Sequence, residues 1–267
     1  MFVPAEINPG HHPTRELFGV TFNLDTVTST LIAGTIVVIL GFLVRRALTK
    51  KTADHVPTKL QLIWEGVVGE VNRQVEDNLG RIHPYVAPLA ITIFFFILIS
   101  NWLEMIPSGL NEHTGELLPA PTSDTNLTYA LGIMAVVSVW VYGIRTKGLK
   151  GYLKHFVEPY PVLLPLNILE ELVKPITLAL RLFGNIFAGG IMLALIASLI
   201  QGWKIGGIPF GEPLGGVLNV VWKLFDMAIG GLQAFIFALL TVLYFAMASA
   251  GHGDDHAHDE EPHVQAA

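Results

Sequence analysis

The sequence predicts an all-α membrane protein with about five transmembrane helices plus one amphipathic surface helix, the last two spans long, tilted and paired as a hairpin. Three observations predict it. Mean hydropathy is +0.54, and only 14% of the 267 residues are charged, against about 25% in soluble globular proteins. Apolar stretches matching the ~20 residues needed to cross a hydrocarbon core recur along the chain instead of appearing once at its start. Lysines and arginines gather at the ends of those stretches, as they do at the cytoplasmic ends of spans. The net charge of −6 argues against a nucleic-acid partner. The absence of Cys excludes disulfides and thiolate chemistry.

Residues 1–25 read as an extracytoplasmic segment. The first twenty are polar and rich in Pro and His, unlike a removable signal peptide. The membrane domain covers 26–250. Its first span, about 26–48, is closed by Arg45, Arg46, Lys50 and Lys51, which puts that end in the cytoplasm and the N-terminus outside. Residues 58–79 carry Leu60, Trp64, Val67, Val71 and Val75 at helical spacing with charges elsewhere around the helix, the pattern of an amphipathic surface helix on the cytoplasmic side. The second span, about 82–106, leads into a loop, 107–125, without Lys or Arg, which suits the outer side. The third, about 126–142, ends in Arg145, Lys147, Lys150 and Lys154. Two further apolar segments, 165–200 and 216–250, form a hairpin around the Gly/Pro/Trp-containing loop 201–215, and the acidic, His-containing tail 251–267 is cytoplasmic. No internal repeat pairs the two halves, which weighs against an inverted-repeat transporter.

At 1.5 Å per residue each of the last two segments is on the order of 50 Å long, against a core of ~30 Å. They are therefore expected to tilt, bend or leave the core, with Pro175 as a bend. Arg181 lies in the middle of the first, among Leu178, Leu180, Leu182 and Phe183, with no acid within one turn. Such a charge costs at least ~2.5–3.5 kcal/mol on insertion scales and cannot be discharged. Snorkelling is the structural alternative, but Arg181 is far from either helix end. Residues equally distant from the connecting loop share a depth. Arg181 thus falls level with positions 233–237, including Gln233, with Asn185 one turn away, while Gly190 falls opposite Asp226. Gly184, Gly189, Gly190, Gly230 and Gly231 either let the two backbones approach or leave room for water beside a carboxylate.

The run from Lys174 to Gly190, with Leu232-Gln233-Ala234-Phe235 in the next helix, closely resembles the a subunit of bacterial F-type ATP synthase (F0 sector). Ala87-Pro88-Leu89-Ala90 and Asn101-Trp102-Leu103-Glu104-Met105-Ile106-Pro107 resemble its earlier spans, and the likeness covers about Asp25 to Ser249. The resemblance implies a proton-translocating subunit of the bacterial plasma (inner) membrane. Its long hairpin would lie against a ring of c subunits, with b-type stalk subunits and, indirectly, the F1 sector as partners. Arg181 matches the family's indispensable arginine, the group separating two offset half-channels, and Asn185 and Gln233 match polar positions on the conduit. Where some members carry Glu and His, this chain carries Gly190 and Asp226, so the acid resembles one moved across the hairpin.

On that reading Asp226 serves the outer half-channel, Glu104 and Asp124 stand towards its mouth, and Glu170 and Glu171 line the inner exit. The alternatives are solvated loop-edge acids for the outer pair. For the inner pair they are a helix N-terminus in which Asn167 and Glu170 form a capping box. No GxxxxGK[ST] loop is present, so ATP chemistry belongs to partner chains and this chain needs no cofactor. The tail residues His252, Asp254, Asp255, His256, His258 and His263 read as a solvated acidic tail instead of a metal site. Two other classes compete: a free-standing ion-coupled transporter that uses Arg181 to bind an anion, and a structural membrane anchor.

Overall fold

A computed structural model describes residues 14–17, 20–49, 59–80, 84–103, 110–111, 115–116, 120–157, 160–200, 204–205, 208–209 and 211–249. Its body is six helices: α1 (Leu24–Thr49), α2 (Lys59–Leu79), α3 (Val86–Leu103), α4 (Thr125–Val157), α5 (Leu164–Ile200) and α6 (Gly211–Ser249). Among the described residues strands occur only as three small antiparallel hairpins: β1 (Thr14–Leu17) with β2 (Val20–Asn23), β3 (Leu110–Asn111) with β4 (Gly115–Glu116), and β5 (Lys204–Ile205) with β6 (Ile208–Pro209). Five helices, all but α2, are long and apolar enough to cross a membrane. The chain is an all-α membrane protein.

The helices start and stop for local reasons. Pro84 and Tyr85 form a turn, so α3 opens at Val86, four residues later than the hydropathy pattern suggests. Helix α4 runs on past Tyr142, because lysine and arginine are good helix formers and carry it through the basic cluster. The break comes instead at Gly148, whose φ of 73° lies where only glycine sits without strain. Beyond it the chain folds back until the Tyr152 ring lies where a side chain on Gly143 would be, 2.6 Å from that Cβ position.

Helices α3, α4, α5 and α6 form the bundle, α1 packs on α3, and α2 lies against α6 and α3. Two apolar clusters fill it. One joins Val71 and Val75 of α2 to Val86 and Ala90 of α3, Val139 and Tyr142 of α4 and Phe245 of α6. The other joins Ile93 and Ile97 of α3 to Leu131 and Ala135 of α4, Leu178 and Leu182 of α5, and Ala234 and Phe237 of α6. Trp64 of α2 stacks on Phe95, with ring centroids 4.4 Å apart, which seats the amphipathic helix on α3. Leu31, Val38 and Phe42 of α1 and long stretches of α5 and α6 present large apolar side chains outward. In lipid these need no protein cover, because burial between helices gains nothing over contact with acyl chains.

The sharpest backbone contact lies between α4 and α5. A Cβ on Gly132 would stand 2.7 Å from the carbonyl oxygen of Pro175. Replacing Gly132 with Ala must push the two helices apart, an overpacking effect of about 1–3 kcal/mol. The thermal unfolding midpoint of the detergent-solubilised protein is expected to fall for Gly132→Ala and to stay unchanged for Gly184→Ala, where the added Cβ would meet nothing within 4 Å.

Candidate functional site

Arg181 is carried by an unbroken helical segment, with Pro175 six residues before it inside α5. Helix rotation of about 100° per residue sorts its neighbours. Leu178, Ala179 and Leu182 are buried in the bundle, whereas Arg181 points outward. Glu170, Thr177, Arg181, Gly184 and Ala188, spaced by three, four or seven residues, are all exposed on that outward face. Among the described residues Arg181 makes no ion pair or hydrogen bond. Tyr244 of α6 lies within electrostatic range of Arg181, Glu170 and Glu171.

Across the hairpin the carboxylate of Asp226 lies against Gly189, with Oδ1 3.0 Å from the point a Cβ would occupy. Trp222, one turn before Asp226, donates its indole N–H to the Gly189 carbonyl at 3.3 Å. Lys223, three residues before Asp226, acts on it electrostatically. The two α6 side chains therefore clasp a bare stretch of α5 backbone. The partner glycine is Gly189 and not Gly190, one residue from the position counted along the hairpin. That single step rotates the contact by about 100°. A Cβ at Gly190 or Gly184 would meet nothing within 4 Å, whereas Gly230 receives the Asn101 side chain at 3.1 Å and Gly231 the Leu98 side chain at 3.7 Å. The glycines thus divide: Gly189, Gly230 and Gly231 permit close approach, and Gly184 and Gly190 leave open space.

Gln233 is 6% exposed, and its Nε2 has no partner among the described residues. No hydrogen bond joins Arg181, Asn185 and Gln233 among the described residues. One turn before Gln233, the Gly230 carbonyl accepts from Asn101 Nδ2 at 3.0 Å, and Asn101 Oδ1 accepts from the Thr122 hydroxyl at 2.8 Å. This buried polar pair escaped the sequence reading, because nothing local ties residue 122 to residue 101.

Asp124 is 6% exposed and fully engaged. Oδ2 accepts from Asn23 Nδ2 at 2.7 Å and from the Thr26 hydroxyl at 2.8 Å, while Oδ1 accepts from the Asn126 backbone N–H at 2.8 Å. It is the N-cap of α4 and ties that end to the start of α1. At the opposite end of the bundle Glu170 and Glu171 separate. Glu170 is exposed on the Arg181 face. Glu171 turns inward, accepting from Trp140 Nε1 and pairing with Lys174, each at 2.6 Å. The Asn167–Glu170 pair is not a capping box, because α5 already begins at Leu164 and both residues sit within its helical turns. Glu104 and the tail residues from His252 to His263 lie outside the described residues. Among the described residues no three His, Cys, Asp or Glu side chains converge as metal ligands.

A sequence model of the ATP synthase A chain family matches residues 27–246. The ATP synthase subunit a of Acidothermus cellulolyticus is 45% identical over 258 residues, covering 95% of this chain and 88% of that protein. The subunit a of Mycobacterium bovis is 45% identical over 249 residues (91% and 94% of the two chains). That of Bacillus pumilus is 35% identical over 238 residues (87% and 95%).

The Asp124 geometry has a direct consequence. Asp124→Ala removes the α4 cap and leaves the buried Thr26 hydroxyl and the half-buried Asn23 amide without their acceptor, an expected loss of about 1–3 kcal/mol. Amide hydrogen exchange at residues 125–128 is expected to accelerate markedly in this variant and only slightly in Asp124→Asn. Equal protection in parent and Asp124→Ala would count against the cap.

Proposed function

The chain belongs to the ATP synthase A chain family, and from that premise we propose that it provides two offset half-channels for protons, with Arg181 as the barrier between them. Family membership makes it a multi-pass subunit of the ATP synthase of a bacterial membrane. The observation that carries the finer reading is the outward-facing Arg181, a permanent charge at mid-helix with no anion beside it among the described residues. A charge so placed is tolerated in lipid only if a partner brings the counter-charge. A ring of c subunits, each with one ionisable carboxylate, supplies it in turn. A deprotonated ring carboxylate is stable only while it faces Arg181. Once protonated it is neutral and enters lipid at small cost. A transmembrane potential contributes ~2.3 kcal/mol per proton per 100 mV, so rotation is biased by where protonation is allowed.

Asp226 serves the outer half-channel in this scheme. It is half-buried against Gly189 of α5, whose missing side chain lets the carboxylate approach, and it accepts no hydrogen bond from a described residue. Asn185 and Gln233 line the route between Asp226 and the Arg181 level. Glu104 belongs to the outer mouth, and Glu170, on the Arg181 face, belongs to the inner exit. The fold supports one orientation. The Thr26–Asp124 hydrogen bond sets the starts of α1 and α4 side by side, so both basic ends, Arg45–Arg46 and Arg145–Lys154, fall on one side. Positive charge retained inside makes that side cytoplasmic, with the N-terminus outside and the C-terminus inside. The exposed face of α2, with Leu62 and Ile63 and, further along the helix, the Glu70–Arg73 pair, supports a b-type stalk subunit as its partner. A free-standing transporter would need a helix broken at mid-membrane, whereas α5 runs unbroken from Leu164 to Ile200.

Two substitutions test the scheme in assembled complexes in inverted membrane vesicles. Arg181→Ala is expected to reduce ATP-driven acidification to background, and normal pumping by this variant would overturn the mechanism. Asp226→Asn is expected to lower coupled ATP synthesis by about a hundredfold, the weaker end of what losing one general acid-base group costs, while Asp226→Glu retains most of it. Undiminished synthesis in Asp226→Asn would remove Asp226 from the path.

A further inference from the structure

The two adjacent glutamates at the start of α5 face different surroundings, and the difference gives them different work. Glu171 stands seven residues before Leu178 and eleven before Leu182, on the stripe of α5 that enters the bundle. Both of its oxygens are occupied: Oε1 accepts from the Trp140 indole of α4 and Oε2 from the Lys174 ammonium. The Glu171 and Lys174 side chains are only 13% and 15% exposed. The ammonium in turn sits 5.3 Å from the centroid of the Tyr244 ring of α6, within the range of a cation–π contact. One carboxylate thus ties α5 to α4 directly and, through its own lysine, to α6.

The location gives the cluster a purpose. Pro175 has no N–H to donate to the Glu171 carbonyl, so α5 lacks one rung between the cluster and Arg181. A helix missing a rung can bend or turn there, and Arg181 would lose its aim. Glu171 and Lys174 hold the segment before the gap, Leu178 and Leu182 hold the segment after it, and Gly132 lets α4 press against the Pro175 carbonyl between them.

We propose that Trp140, Glu171, Lys174 and Tyr244 form an interhelical latch that sets the rotation of α5 and thereby points Arg181 outward. Glu171 is a positioning residue in this latch and not a proton carrier, which leaves Glu170 as the glutamate of the exit path. The proposal rests on the half-channel reading above.

Removing one member of a buried ion pair strands the other, whereas replacing both with groups of similar size is close to neutral. Lys174→Met alone is therefore expected to lower ATP-driven acidification of inverted vesicles by about tenfold or more. The double variant Glu171→Gln/Lys174→Met is expected to assemble and to recover to within about threefold of the parent, with the parent's pH profile, because the introduced amide still offers Trp140 a side-chain oxygen as acceptor. Glu170→Gln should lower the rate and shift the profile. A double variant that fails to assemble, pumps no better than Lys174→Met, or shows a displaced pH profile overturns the latch. Arg181→Ala reads the half-channel scheme independently, so loss of one conclusion is distinguishable from loss of the other.

Discussion

A guanidinium that cannot be discharged stands on the outward face of an apolar helix, and no group among the described residues neutralises it. Every other notable feature of the fold is compatible with keeping it there. The long α5–α6 hairpin is supported from one side by α3 and α4, while its other side remains uncovered. A soluble protein could not leave such a face open. In lipid the face is harmless until a charge is placed on it, and an uncompensated charge there is costly.

Polar side chains in the bundle fall into two groups by whether their hydrogen bonds are met. Asp124, Asn101, Thr122 and Glu171 are satisfied by partners from other helices or from the cap they form. These groups hold elements together. Arg181, Asp226 and the Gln233 amide lack such partners among the described residues. Buried polar groups are ordinarily paired, and among the described residues Gln233 Nε2, Ser29 Oγ and Ser100 Oγ depart from that rule, whereas Arg181 is exposed and Asp226 half-buried.

The fold class and five long helices were legible because hydropathy and basic clusters are local signals that lipid makes decisive. The depth relation in the hairpin was legible too. Both helices rise by the same amount per residue, so counting from the loop placed Asp226 within one residue of the glycine it touches. Direction was not legible. The same counting cannot tell Gly189 from Gly190, nor say that Arg181 leaves the bundle while Leu182 enters it. Those outcomes depend on which face α4 and α3 occupy. The tie from Asp124 to α1 needed Asn23 and Thr26, about a hundred positions away, and Glu171 needed Trp140 of another helix. Acids that looked equivalent in the sequence were separated by contacts that sequence spacing does not encode.

Depth and direction carry different functional weight. A half-channel that opens to one side needs its groups at the right depth, and that is fixed by helix rise alone. A barrier facing a moving partner also needs the right azimuth, where an error of one residue amounts to about 100°. Azimuth in α5 is at risk at Pro175, where a backbone bond is missing. Contacts that settle it therefore belong close to that gap on both sides. The Glu171–Lys174 pair with Trp140 lies just before it, Leu178 with Leu182 just after it, and the glycine that admits the Pro175 carbonyl directly opposite. Their placement surrounds the weak point of α5 with packing from α4 and α6.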